Sequence, residues 1–135
     1  MYSTEHLPVL GPQVVELLSP SSGDSYLDLT AGYGGHAGLL INCGIKPDDM
    51  VLVDRDKFAV DHLKAKRQLG GSRVIHSDYL KAAGVFCNQN QKFDMILLDL
   101  GLSSPQLDNT ERGFSFQNDA PLDMRMDQSQ KLSAK

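Results

Sequence analysis

The sequence predicts a doubly wound α/β fold, an open parallel sheet with helices on both faces, and three observations carry that expectation. Extended apolar runs alternate with helical patterns as far as Asp99, the signature of strands joined by crossover helices. A glycine-rich turn, Gly32-Tyr33-Gly34-Gly35, joins the first extended run to the helix that follows it. Acids stand at or beside the ends of three of the runs, Asp28, Asp54 and Asp99, and open α/β sheets bind ligands beyond the carboxyl ends of their strands.

The elements follow in order. An opening helix begins near Pro12, whose fixed φ suits a first turn, and places Val14, Leu17 and Leu18 on one face before stopping around Ser19-Pro20. Ser25 to Leu29 is the first strand. The helix after the glycine turn carries Ala37, Leu40 and Ile41 at i, i+3, i+4 and closes at Gly44. Met50 to Asp54 is a continuous apolar run ending in a carboxylate, followed by a helix from about Lys57 to Gly70-Gly71. Arg73 to His76 reads as a third strand, Leu80 to Phe86 as a short helix, and Asp94 to Asp99 as a fourth strand buried on both faces. Such sheets usually hold more strands, so this one reads as truncated after the fourth. Past Gly101 the pattern turns to Ser103-Ser104-Pro105, Asp108-Asn109, Arg112-Gly113 and Asn118-Asp119, a loop of about 25 residues, a length that is usually functional or disordered. Ser133-Ala134 has the look of a helix N-cap.

A chain of 135 residues suits one domain, taken as 1–135 with 100–127 as a loop on the substrate side. With 41% hydrophobic and 22% charged residues, disordered and fibrous classes are excluded. The apolar runs Met50 to Val53 and Met95 to Leu98 fall far below the ~20 residues that span a bilayer. Met1 to His6 has neither the basic lead nor the apolar core of a secretory signal. Cys43 and Cys87 form no CxxC pair, so a reducing cytoplasm is expected. The net charge of −4 opposes an electrostatic grip on nucleic acid by this part of the protein. His6, His36, His62 and His76 lack metal-site spacing, and no bound metal is expected.

The glycines allow a backbone to approach a ligand where a side chain would not; the plain alternative is a tight turn with no ligand. Asp54, about 20 residues past the loop's start, suits the two hydroxyls of an adenosine ribose, or else caps the next helix, a role that Asp56 could also fill. Asp28 before the glycines would repel a pyrophosphate and attract a sulfonium and an ammonium, which favours S-adenosylmethionine (SAM) over a nicotinamide dinucleotide. Asp99, ahead of Ser103-Ser104-Pro105-Gln106, is the candidate catalytic group. It stands where methyltransferases of exocyclic amines place a polar residue, and it could accept an amine proton or hydrogen bond or merely cap a neighbouring helix.

Taken together, Asp28-x-Thr30-x-Gly32-x-Gly34-Gly35-His36, Asp54-Arg55-Asp56, Leu97-Leu98-Asp99-Leu100-Gly101-x-Ser103-Ser104-Pro105-Gln106, Glu111-Arg112-Gly113-Phe114-Ser115-Phe116 and Pro121-Leu122-Asp123-Met124-Arg125-Met126-Asp127 resemble the MraW/RsmH family, from His6 to the end of the chain. The resemblance implies a Rossmann-like class I methyltransferase that uses SAM to methylate the N4 amine of a cytidine in small-subunit ribosomal RNA. It implies a SAM site lined by Gly34, Gly35, His36, Asp54, Tyr79, Asp99 and Gln106. Ser103, Ser104, Pro105 and Arg112 are candidates for the substrate side, with the acidic stretch Asp108 to Asp127 and its interleaved Phe114, Phe116, Leu122, Met124 and Met126 packing across the mouth to hold an extruded cytosine. A solvated loop is the plain reading of that stretch. Tyr79 departs from the family's usual Phe, a change that keeps a ring for stacking on adenine; Leu29 departs from a common Gly. Family members are longer than this chain. The rival readings are a SAM-binding module without catalysis and a nicotinamide-dependent oxidoreductase.

Overall fold

A computed structural model describes residues 8–135 and separates two compact units, one ending at Asp99 and the other Leu100–Lys135. His6 and the leader reading of residues 1–6 lie outside the described residues.

The first unit holds a four-stranded parallel sheet of order β3-β2-β1-β4, built from β1 (Tyr26–Asp28), β2 (Met50–Asp54), β3 (Arg73–His76) and β4 (Met95–Leu97). Its helices are α1 (Gly11–Leu18), α2 (Gly35–Asn42), α3 (Lys57–Ala65) and α4 (Tyr79–Asn88). In register, Leu27 of β1 lies between Val51 of β2 and Ile96 of β4. Because side chains alternate across a strand, the two sheet faces collect two cores. Tyr26, Met50 and Leu52 pack with Ala37 and Leu40 of α2 and Leu63 of α3, joined by Val15 and Leu18 of α1. Leu27, Val51 and Val53 pack with Ala82 and Phe86 of α4. Cover on both faces explains why β2 is an unbroken apolar run.

Two burial expectations are corrected. Leu17 is 85% exposed; the inward row of α1 runs instead through Gly11, Val15 and Leu18, because Gly11 comes so near α2 that a Cβ there would meet Leu39 Cδ1 at 2.7 Å. The fourth strand is not buried on both faces. By register Ile96 belongs to the Leu27 face, but α4 lies over β2, and Ile96 on the outer strand stays 55% exposed.

Asp28 closes β1 on the same face as Tyr26. It is 1% exposed, and a carboxylate taken out of water must find donors. The Tyr26 hydroxyl donates to its Oδ2 at 2.8 Å and the Thr30 N–H to its Oδ1 at 3.1 Å. Burial nevertheless raises its pKa from 3.8 to about 6, against the pull of these two donors.

In the second unit, α5 (Ser104–Asp108) and a 3-10 turn over Thr110–Arg112 replace the featureless loop expected there. Arg112 is 4% exposed; its Nη2 donates to the carbonyls of Arg125 at 3.1 Å and Met126 at 2.9 Å, and its guanidinium lies 5.9 Å from the Phe114 ring centroid. Arg125 grips Asp123 with Nε on Oδ1 at 2.8 Å and Nη2 on Oδ2 at 2.7 Å, and this pairing lowers the Asp123 pKa to about 2. Two arginines thus tie a segment that has no sheet to hold it. No helix begins at Ser133; the Ala134 N–H donates to the Asp123 carbonyl at 2.9 Å.

Two predictions follow from these burials. The folded state binds the Asp28 proton more tightly than the unfolded chain does, so its contribution to stability is complete below about pH 4 and is lost as the pH rises to about 6. The melting temperature of the unsubstituted protein minus that of Asp28→Asn should therefore fall across that interval and level off above it; a flat difference would contradict the burial. Arg112→Ala leaves two carbonyls without their charged donor, a loss of about 1–3 kcal/mol, and limited proteolysis within residues 113–126 should accelerate roughly tenfold.

Candidate functional site

The chain leaves β1 for β2 on one side and later returns as β4 on the other, so strand order reverses beside β1. Crevices at such reversals are where open sheets hold ligands. Past Asp28 the backbone remains stitched to both neighbours: Leu29 N–H donates to the Leu97 carbonyl at 3.0 Å, and Ala31 N–H to the Val53 carbonyl at 2.9 Å. The glycine loop therefore starts from a fixed base.

Asp54, at the carboxyl end of β2, meets that loop directly. Its Oδ2 accepts the Gly32 N–H at 2.7 Å and its Oδ1 the Asp56 N–H at 2.8 Å. Each oxygen keeps further acceptor capacity, and the residue is half-buried. Burial raises its pKa, opposed by the backbone N–H groups of Asp56, Gly32 and Arg55. Asp56 is the residue that caps α3, accepting the Phe58 N–H at 3.0 Å, so the capping alternative for Asp54 does not hold. Across the β1–β4 gap, the exposed Asp99 donates its N–H to Thr30 Oγ1 at 2.7 Å.

The glycines divide their work. Gly34 sits at φ +78°, and a Cβ there would lie 2.8 Å from Leu69 Cδ1 and 3.0 Å from Leu63 Cδ2; the left-handed backbone and the core behind it both demand glycine. At Gly35 a Cβ would press on Pro8 at 3.2 Å. Gly32 alone of the three has an open side, with the nearest atom 4.0 Å from a hypothetical Cβ. His36, in the first turn of α2, donates from Nε2 to the Val9 carbonyl at 3.0 Å. Tyr79 heads α4 just beyond the carboxyl end of β3, behind the Asp78 cap, and is 38% exposed.

In the second unit, Gln106 is buried, and its Oε1 accepts the Ser103 N–H at 3.0 Å. Ser103, Ser104, Pro105 and Gln106 thus form the head of α5, a Ser-x-x-Gln start with proline in the first turn. That pattern was the available signal for α5.

The structure draws Asp54 and Asp99 to the glycine loop, with Tyr79 at the same end of the sheet. It buries Asp28, which was expected to act through its charge, with the Tyr26 hydroxyl on one oxygen and the Thr30 N–H on the other. It adds Thr30, which sequence reasoning quoted in a motif without a task. The donor set is two accessible carboxylates, an open backbone turn and a partly exposed ring. Between Asp28 and His36 there is no lysine or arginine, although Lys66 Nζ comes within 3.5 Å of the Tyr33 carbonyl. Such a set fits a ligand with hydroxyls, a flat base and positive charge better than one with a pyrophosphate.

The profile of the MraW methylase family matches residues 3–135. The chain is similar to proteins named ribosomal RNA small subunit methyltransferase H. That of Citrifermentans bemidjiense is 42% identical over 99% of this chain and 44% of its own length; that of Synechocystis is 45% identical over 96% and 43%; that of Mycoplasmopsis agalactiae is 41% identical over 96% and 44%. The chain thus spans less than half the length of these relatives. With a parallel Rossmann-like sheet, a glycine loop docked on the acid of the second strand, and a profile match across nearly its whole length, the chain belongs to the MraW methylase family.

Proposed function

We propose that the crevice at the carboxyl ends of β1, β2 and β4 binds SAM, and that the protein methylates the N4 amine of a cytidine in small-subunit ribosomal RNA in the cytoplasm, this chain supplying the cofactor-binding part. The observation that carries the reading is the Asp54 carboxylate, held against the glycine loop by the Gly32 and Asp56 N–H groups with acceptor capacity to spare. Asp54 would accept the ribose hydroxyls. The backbone of Gly34, Gly35 and His36 would line the methionine side, the Tyr79 ring would stack on adenine, and Asp99 would complete the first unit's part of the cofactor site.

When bound, the cofactor supplies an electrophilic methyl group for in-line displacement. For that chemistry the protein's task is chiefly positioning, and Asp99 would accept a hydrogen bond from the target amine so that its lone pair faces the methyl. Ser103, Ser104, Pro105 and Arg112 are assigned to the substrate side, Arg112 by holding the 113–126 segment in shape rather than by touching RNA. The chain's net charge of −4 opposes a strong electrostatic grip on RNA phosphates by these residues. The names of the relatives, which specify ribosomal RNA of the small subunit, support the substrate class.

Isothermal calorimetry tests the cofactor. SAM should bind and NAD should not; binding of NAD alone would overturn the reading. Asp54→Asn should weaken SAM at least tenfold, the loss of about 1.5–3 kcal/mol that attends a hydrogen bond to a charged group. Tyr79→Phe should bind as the unsubstituted protein does, and Tyr79→Ala should lose about 1–3 kcal/mol of stacking.

A further inference from the structure

We infer that Thr30 is a positioning residue: its side-chain oxygen, by taking the Asp99 N–H, sets the gap between β1 and β4 at which the cofactor crevice opens. The inference rests on the cofactor reading above and adds a residue to it. The parallel ladder between these strands pairs Tyr26 with Met95, Leu27 with Ile96 and Asp28 with Leu97, and continues with the Leu29 N–H on the Leu97 carbonyl. By the regular alternation of a parallel ladder, the next rung would carry the Asp99 N–H to the Leu29 carbonyl. The acceptor is instead Thr30 Oγ1, at 2.7 Å.

A side-chain oxygen therefore stands in for a backbone rung at the point where the two strands part. The pairing ends there, yet Asp99 stays tethered. Thr30 is itself held from beneath, since its N–H is bound by the buried Asp28 carboxylate, which the Tyr26 hydroxyl holds in turn. A continuous path of three hydrogen bonds thus runs from the core under the sheet to the backbone of the candidate catalytic residue. On its other flank Ala31 is bonded to Val53, so Thr30 cannot shift without disturbing β2. Threonine suits the task because its branched Cβ restricts χ1, which keeps the oxygen aimed at Asp99.

The test compares Thr30→Val, which keeps the shape and loses the acceptor, with Thr30→Ser, which keeps the acceptor. Two readouts are made on the full chain: hydrogen exchange of the Asp99 amide by NMR, and SAM affinity by calorimetry. In Thr30→Val the Asp99 amide should exchange at least tenfold faster and SAM should bind about tenfold more weakly, while Thr30→Ser should restore both to within about threefold. If the Asp99 amide is unprotected in the unsubstituted chain, the tether does not exist and the inference falls, whatever the variants do. If Thr30→Val frees the amide but leaves SAM affinity unchanged, the positioning role is overturned. Absence of SAM binding to the unsubstituted chain would defeat the cofactor reading instead, and the exchange data would still judge the tether.

Discussion

Removal of the Asp28 carboxylate from water is the constraint on which the rest of the first unit turns. A buried acid must be surrounded by donors or it opposes folding. The donors available at the end of β1 are a tyrosine hydroxyl two residues back and a backbone N–H two residues on. Satisfying the acid thereby fixes where the strand ends and how the chain turns toward the glycines. Thr30, held in this way, meets β4, and Ala31 meets β2. The loop is rigid at its root because one costly group beneath it admits few alternatives.

Much of this architecture was legible in the sequence. β2 and β3 have the bounds expected of them: β2 is an apolar run set between acids, and β3 lies between Gly70-Gly71 and the Asp78 cap of α4. Burial was less legible than element type. Leu17 and Ile96 are apolar residues in regular elements, yet whether they meet a neighbour depends on where α2 and α4 come to lie, and no local pattern encodes that. The short α5 escaped notice because five residues show no helical period, although its capping signature stood in plain view.

The candidate site was legible in its acids and much less so in its supports. An acid at a strand end about 20 residues beyond a glycine loop is a positional signal, and Asp54 obeys it. The glycine spacing gave no hint that Gly34 and Gly35 yield to Leu63, Leu69 and Pro8 while Gly32 keeps an open side. Arg112 reads as a surface cation among acids, but its partners are backbone carbonyls, which every residue carries and no sequence advertises. Asp28 was recognised as important for its charge, whereas the structure values it as a buried acceptor.

Parallel topology has one more consequence, which concerns the two free cysteines. Every crossover helix begins at the carboxyl edge of the sheet and ends at the opposite edge. Cys43 closes α2 and Cys87 lies in the last turn of α4; both are exposed, and both stand at the edge away from Asp54 and Asp99. The protein thus carries a native pair of thiol handles on its far rim, where fluorophores or spin labels could report on the sheet without intruding on the crevice.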